Sequence, residues 1–285
     1  MIGLILGFIG TFFEELNNSI TKDKTKKYHH ITIWVVTSLF SLLLFLIVGS
    51  YKYFSGNFEL TFAMTSIPLL FLRGFLEILQ SYFTLIAIKH CDRSTFSIIR
   101  ILTIPLLVFA DILLWYEFSI YSLVWIGIIV LSFIWFNTDT KSINWKWWYY
   151  VLFTAVNAVF TISLFKYSIT HYGNSIEIDQ FLMILSTFIF FVIYNYRREK
   201  RFGFYLLKKE KMFRVQWIFI AIASLVLSYS YIYLNASEAT TVKRAWEMFW
   251  AVIAGCLFFQ ESHFWKKIWF AVCIMVWLWV MVLQK

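Results

Sequence analysis

The sequence predicts an all-α integral membrane protein of ten transmembrane helices, built as two inverted five-helix repeats. Three observations lead there: an excess of apolar residues, their division into runs of bilayer length, and an internal repeat of odd helix count. Of 285 residues, 61% are hydrophobic and 14% charged, and the mean hydropathy is +0.72. Soluble domains average roughly 45–50% apolar and about 25% charged, so a single core could not hide this surface. Two prolines and ten glycines argue against a loop-rich or all-β chain.

Apolar runs occupy 2–20, 31–54, 61–88, 94–115, 119–137, 146–168, 176–195, 213–234, 238–259 and 265–283. Each is close to the roughly 20 residues that a helix needs to cross a bilayer. Polar breaks separate them, among them TKDKTKKYHH after the first run and RREKRFGFYLLKKEKMFR after the seventh. The breaks around Cys91 and Asn235 are short enough to predict tight antiparallel hairpins. Residues 1–13 lack a basic leader and a small-residue cleavage site, so they are expected to begin the first membrane helix rather than a signal peptide. Trp145, Trp147, Trp148, Tyr149 and Tyr150 crowd one run end, as an aromatic belt at the headgroup level does.

The net charge of +9 comes from basic clusters between the apolar runs, so a lipid bilayer is the expected partner and nucleic acid is not. Loops after the odd-numbered runs hold 18 of the 25 Lys and Arg, including Lys22, Lys24, Lys26, Lys27 and the cluster from Arg197 to Arg214. The opposite face holds Lys52, Lys166 and Lys285. The positive-inside rule makes the first face cytoplasmic and puts both termini outside. Localisation in the cell membrane, plasma or inner, is the expectation.

A shift of 144 residues lays the fourth and fifth runs on the ninth and tenth. Arg100 then meets Arg244, Val108 meets Val252, Ala110 meets Ala254, Leu113 meets Leu257, Glu117 meets Glu261, Trp125 meets Trp269 and Trp135 meets Trp279. An intramembrane arginine and a helix-ending acid thus fall in register. A half of five helices, 1–137, forces its copy, 138–285, to enter the membrane from the other side. That is the architecture of many secondary transporters, which bind substrate near the midplane between halves.

The residues FFEELNNSITK in the first run, FLRG in the third, and two hairpins carry a resemblance. The hairpins are YFTLIAIKHCDRSTFSIIRILTIPLLVFADILLWYE and YSYIYLNASEATTVKRAWEMFWAVIAGCLFFQE. The chain resembles the drug/metabolite transporter superfamily in its ten-helix EamA-type branch. That resemblance implies a helix, a short polar turn, a helix with a central proline and a terminal acid in each half. Pro105 fits in the first half, whereas Phe249 stands at the matching place in the second. The resemblance also implies both termini inside, against the charge distribution.

Charged side chains within a bilayer cost about 2.5 kcal/mol or more and usually face a cavity or a partner. Arg73 and Glu77 are four apart on one helical face, and Gln80 continues it. Arg244 and Glu247, three apart, share a face of the ninth run. Arg100 lies about 9 Å into the fourth, at about 1.5 Å per residue. Guanidinium groups there would grip a carboxylate or phosphate, and Glu15, Glu77 or Glu247 would serve as a proton-coupling carboxylate. Arg73–Glu77 and Arg244–Glu247 also read as self-neutralising pairs, and Arg100 as snorkelling to the interface. Glu14, Glu15, Asn17 and Asn18 either line a cavity or are solvated beyond an early helix end. Asp111 and Lys166 are expected at the interface. Trp246, Trp250, Tyr82, Tyr229 and Tyr231 could stack on a substrate ring or simply pack.

The sequence contains no HExxH, GxSxG or P-loop pattern, and Cys91, Cys256 and Cys273 have no metal-ligand spacing. No enzyme activity, metal or cofactor is expected. The expected function is secondary transport of a small polar metabolite, anionic or zwitterionic. A lipid flippase or membrane-embedded lipid-modifying enzyme, with the basic 197–214 loop on anionic headgroups, is the alternative. Monomer and homodimer both remain open.

Overall fold

The computed structural model describes residues 2–55, 61–113, 127, 147–200, 204–234, 236–260, 265, 267–269 and 271–273. Among them every regular element is helical: α1 (Ile2–Lys24), α2 (His30–Phe54), α3 (Ile67–His90), α4 (Arg93–Arg100), α5 (Thr103–Leu113), α6 (Trp148–His171), α7 (Ile176–Glu199), α8 (Tyr205–Lys209), α9 (Lys211–Tyr233) and α10 (Ala236–Phe259). A single 3-10 turn, Met64–Ser66, leads into α3. Among the described residues six helical segments are long and apolar enough to cross a membrane. The expected fifth and tenth spans lie almost wholly outside the described residues.

The molecule carries its apolar groups outward and its polar groups inward. On α3, Phe71 is 75% exposed while Arg73, two residues on, is 2% exposed. Leu46, Ile47, Phe109 and Phe160 also point out, whereas Thr11, Glu15, Arg93, Thr103, Asp179, Arg244 and Glu247 are buried. Such a surface suits hydrocarbon as solvent, and the fold is that of an integral membrane protein.

Helix α1 is too charged in its second half to register as an apolar span, yet it runs unbroken to Lys24. It is held by close approach. Gly3, Gly7 and Gly10 line one buried stripe, and a methyl group on Gly10 would lie 2.6 Å from Leu227 Cγ on α9. One on Gly7 would collide with Val242 on α10. Small residues at this spacing let helix backbones meet where the surrounding lipid gives no hydrophobic drive.

Packing is mostly between distant parts of the chain. Helix α1 lies along α9 and α10, and α6 lies along α3 and the α4–α5 pair. Helix α2 packs on α7 and α9, α7 packs on α2 and α3, and α10 lies against α4 and α5. The tight hairpins expected at Cys91 and Asn235 are therefore corrected. The connections are indeed short, but α3 touches α4, and α9 touches α10, far less than each touches helices from elsewhere in the chain.

The fourth apolar run is not one straight helix. Its pieces α4 and α5 are separated by Ile101 and Leu102, whose N–H groups donate to Ile98 (3.2 Å) and Ile99 (3.1 Å), three residues back. Pro105 explains the break: it has no N–H, and its ring collides with the carbonyl four residues earlier, on Ile101. With Phe249 in the corresponding place, α10 continues for 24 residues.

Basic side chains gather at one end of the bundle. There Lys24 and Lys27 each reach Glu210 at 3.0 Å, and the Tyr28 hydroxyl donates to it at 2.9 Å. These donors, Lys27 foremost, pull the Glu210 carboxyl down to a pKa of about 2. Burial instead pushes the Cys91 thiol, between α3 and α4, up to about 11.

Candidate functional site

The inward polar residues surround a cavity at the centre of the bundle. It has two adjoining lobes, of about 270 Å³ and about 280 Å³, which share Glu14, Gln80, Arg100, Ser224 and Lys243 in their walls. The first lobe adds Asn17, Asn18 and Thr21 of α1 with Thr37, Ser38 and Ser41 of α2. The second adds Arg73, Glu77, Gln180, Ser228, Tyr231 and Arg244.

The second half of α1 is thus cavity wall, not a solvated end. Asn17 and Thr21 accept hydrogen bonds from Gln216 Nε2 of α9 at 2.9 and 2.8 Å. Glu15 faces away from the lobes toward α4, where Arg93 takes it in both hands: Nε donates at 3.0 Å and Nη2 donates to the second oxygen. Ser19 adds a third donor at 3.1 Å. Arg93 was expected in a polar break on the basic face. It is instead wholly buried, with its guanidinium 5.2 Å from the Phe96 ring centroid.

Where α4 breaks, three charges meet. Arg100 Nη1 donates to Glu247 Oε1 at 3.1 Å, and Arg244 Nη1 donates to the other oxygen of Glu247. Arg244 Nε also donates to Thr103 Oγ1 at 3.1 Å. Arg100 therefore does not snorkel, and Arg244–Glu247 is not a self-contained pair. Two guanidinium groups share one fully buried carboxylate.

A second cluster lies on the facing wall. Arg73 donates to Asp179 of α7, and Ser168 of α6 donates to that carboxylate at 2.8 Å. The expected Arg73–Glu77 contact is long, 3.9 Å. Asp179, which sequence reasoning passed over, is the closer partner. Gln80 Oε1 accepts from Thr161 at 2.9 Å and from Asn157 at 3.3 Å, both on α6. Between the clusters Lys243 and Glu14 pair at 3.0 Å.

Of the predicted site residues, Arg73, Glu77, Gln80, Arg100, Arg244 and Asn18 line the cavity, with Glu247 directly behind its arginines. Trp246 and Tyr82 do not. Trp246 packs edge-on against Phe8 at 4.7 Å, and Tyr82 joins an apolar cluster with Ile31, Val35 and Phe191. Tyr229 bonds Lys52 at 2.6 Å and Glu177, outside both lobes. The interfacial places expected for Asp111 and Lys166 are corrected, since both are buried. Lys166 Nζ donates to the carbonyls of Tyr231 (2.9 Å) and Leu234 (3.3 Å), which the end of α9 leaves open.

Among the described residues no group of His, Cys, Asp and Glu could hold a metal ion. The arrangement offers fixed charges, amides and hydroxyls around a small polar space. No protein-family model matches the chain, and no curated protein matches its sequence.

Proposed function

We propose that the chain is a secondary transporter that moves a small polar metabolite, anionic or zwitterionic, by alternating access of two inverted five-helix halves in the cell membrane. The observation that carries this reading is an exchanged contact in the cavity wall. Arg100 donates to Glu247 while Arg244 donates to Thr103. A shift of 144 residues turns 100 into 244 and 103 into 247, so each half offers an arginine to the same position of the other. Contacts related by a two-fold axis have this reciprocity.

The helix neighbours support the same reading. Exchanging α1 with α6, α2 with α7, α3 with α9, and α4–α5 with α10 turns the set of principal packings into itself. Helices α1 and α6 enter from opposite ends, as inverted repeats require. A discontinuous helix beside the charged cluster is a further feature of transporter sites at the midplane.

The test is uptake of a panel of radiolabelled amino acids, carboxylates and phosphate esters into proteoliposomes. Wild type is expected to accumulate one chemical class, with initial rates at least about tenfold lower for Arg244→Ala and Glu247→Gln, consistent with loss of a charge-assisted contact. Unchanged flux in both variants would remove the assigned site. Movement of a fluorescent phospholipid between leaflets, with no soluble compound transported, would replace this reading by the flippase.

A further inference from the structure

We propose that the cavity is a zwitterion site, in which Arg100 and Arg244 take the carboxylate of a small molecule and Glu77 takes its ammonium. This rests on the transport reading for the choice of site and narrows its substrate class.

The argument is a charge count on two walls. On one wall Arg100 and Arg244 share the single carboxylate of Glu247, which leaves one positive charge in excess. On the other, Asp179 and Glu77 share the single guanidinium of Arg73, which leaves one negative charge in excess. Lys243 and Glu14, common to both lobes, neutralise each other, and Arg93 and Glu15 do the same outside them. Among the described residues no ion pair joins the two walls, so the excesses are not cancelled by the protein's own contacts. Uncompensated charge away from bulk water is costly. A molecule that brings both signs relieves both walls at once.

Atomic detail agrees with the count. Arg100 is 6% exposed, and its Nε has no hydrogen-bond partner. That leaves an unused donor on a cavity-lining guanidinium whose Nη1 already faces a carboxylate. On the opposite wall Asp179 is sealed at 0% side-chain exposure by Arg73 and Ser168, whereas Glu77 keeps 27%. Glu77 makes no printed hydrogen bond within the described residues, and its contact with Arg73 spans 3.9 Å. Both groups line the same lobe of about 280 Å³, near the lower end of the roughly 300–1,000 Å³ usual for small-molecule pockets. A plain monoanion would satisfy the arginines and leave the acidic wall unbalanced. A plain monocation would do the reverse.

The experiment measures binding, by thermal shift and calorimetry, of three probes to the purified protein in detergent: L-alanine, propionate and ethylamine. The last two each keep one of alanine's charges. Wild type is expected to bind alanine about tenfold or more tightly than either, the scale of one charge-assisted hydrogen bond. In Glu77→Gln the preference for alanine over propionate should vanish, and in Arg100→Gln the preference over ethylamine should vanish. Equal binding of alanine and propionate by wild type, or no alanine binding, overturns the proposal without any variant. Persistence of both preferences in the variants overturns the residue assignment. Binding as expected with no flux in proteoliposomes would sink the transport reading alone. Uptake of simple anions without alanine binding would sink this one alone.

Discussion

At the residue scale the protein's interior is held by ion pairs rather than by packed hydrocarbon alone. A buried guanidinium is tolerable only where its donors meet acceptors, and Arg93 meets both oxygens of Glu15. Removing one partner strands the other, which costs about 3–5 kcal/mol, whereas replacing both by apolar groups of similar size is often neutral. Glu15→Gln is therefore expected to lower stability by roughly that amount, and the double substitution Glu15→Leu with Arg93→Met to recover most of it. Thermal denaturation in detergent checks both. Arg93 carried a readable signal that the polar break concealed. It stands seven residues before Arg100, two turns along one face, and both guanidinium groups lie over Phe96, at 5.2 and 5.1 Å. Asp179 carried none, because its partner Arg73 is 106 residues away.

At the element scale the decisive feature is the break at Pro105. It ends α4 at Arg100 and starts α5 at Thr103, so the two residues that meet Glu247 and Arg244 sit where the helix is interrupted. Pro105→Ala would allow the helix to close. The melting temperature is expected to hold or rise, since proline in a helix interior costs about 3 kcal/mol relative to alanine. Transport of whichever compound wild type accumulates should nonetheless fall by about 10–100-fold, as a displacement near 1 Å of positioning groups does. Loss of stability with unchanged transport would show that the break serves only packing. The proline was visible in the sequence. What it does to Arg100 was not, because local propensity says nothing about which distant carboxylate the freed turn faces.

At the scale of the whole molecule, charge distribution sets orientation and helix exchange sets the cavity. Lys22, Lys24, Lys27, Arg198 and Lys200 lie at one end, and Lys52 at the other. In a background lacking Cys91, Cys256 and Cys273, cysteine at Ser55 is expected to react with an impermeant maleimide on intact cells. Cysteine at Lys200 should react only after permeabilisation. The reverse pattern would place the basic end outside and favour the orientation that the family resemblance implies. Labelling of both from one side would contradict the placement of these two residues at opposite ends.

The sequence by itself determined that this chain is helical and dissolves in lipid, because hydropathy and run length depend on composition alone. It also marked Arg73, Glu77, Arg100, Arg244 and Glu247 as unusual, because charge in an apolar run is costly wherever it points. Tertiary structure alone decided the partners. Whether Arg244 neutralises its own neighbour or shares it with Arg100 depends on α10 lying against α4 and α5, which no local pattern encodes. The same holds for the two walls of opposite excess charge, which exist only because α3 and α7 bring Glu77 and Asp179 to a single arginine.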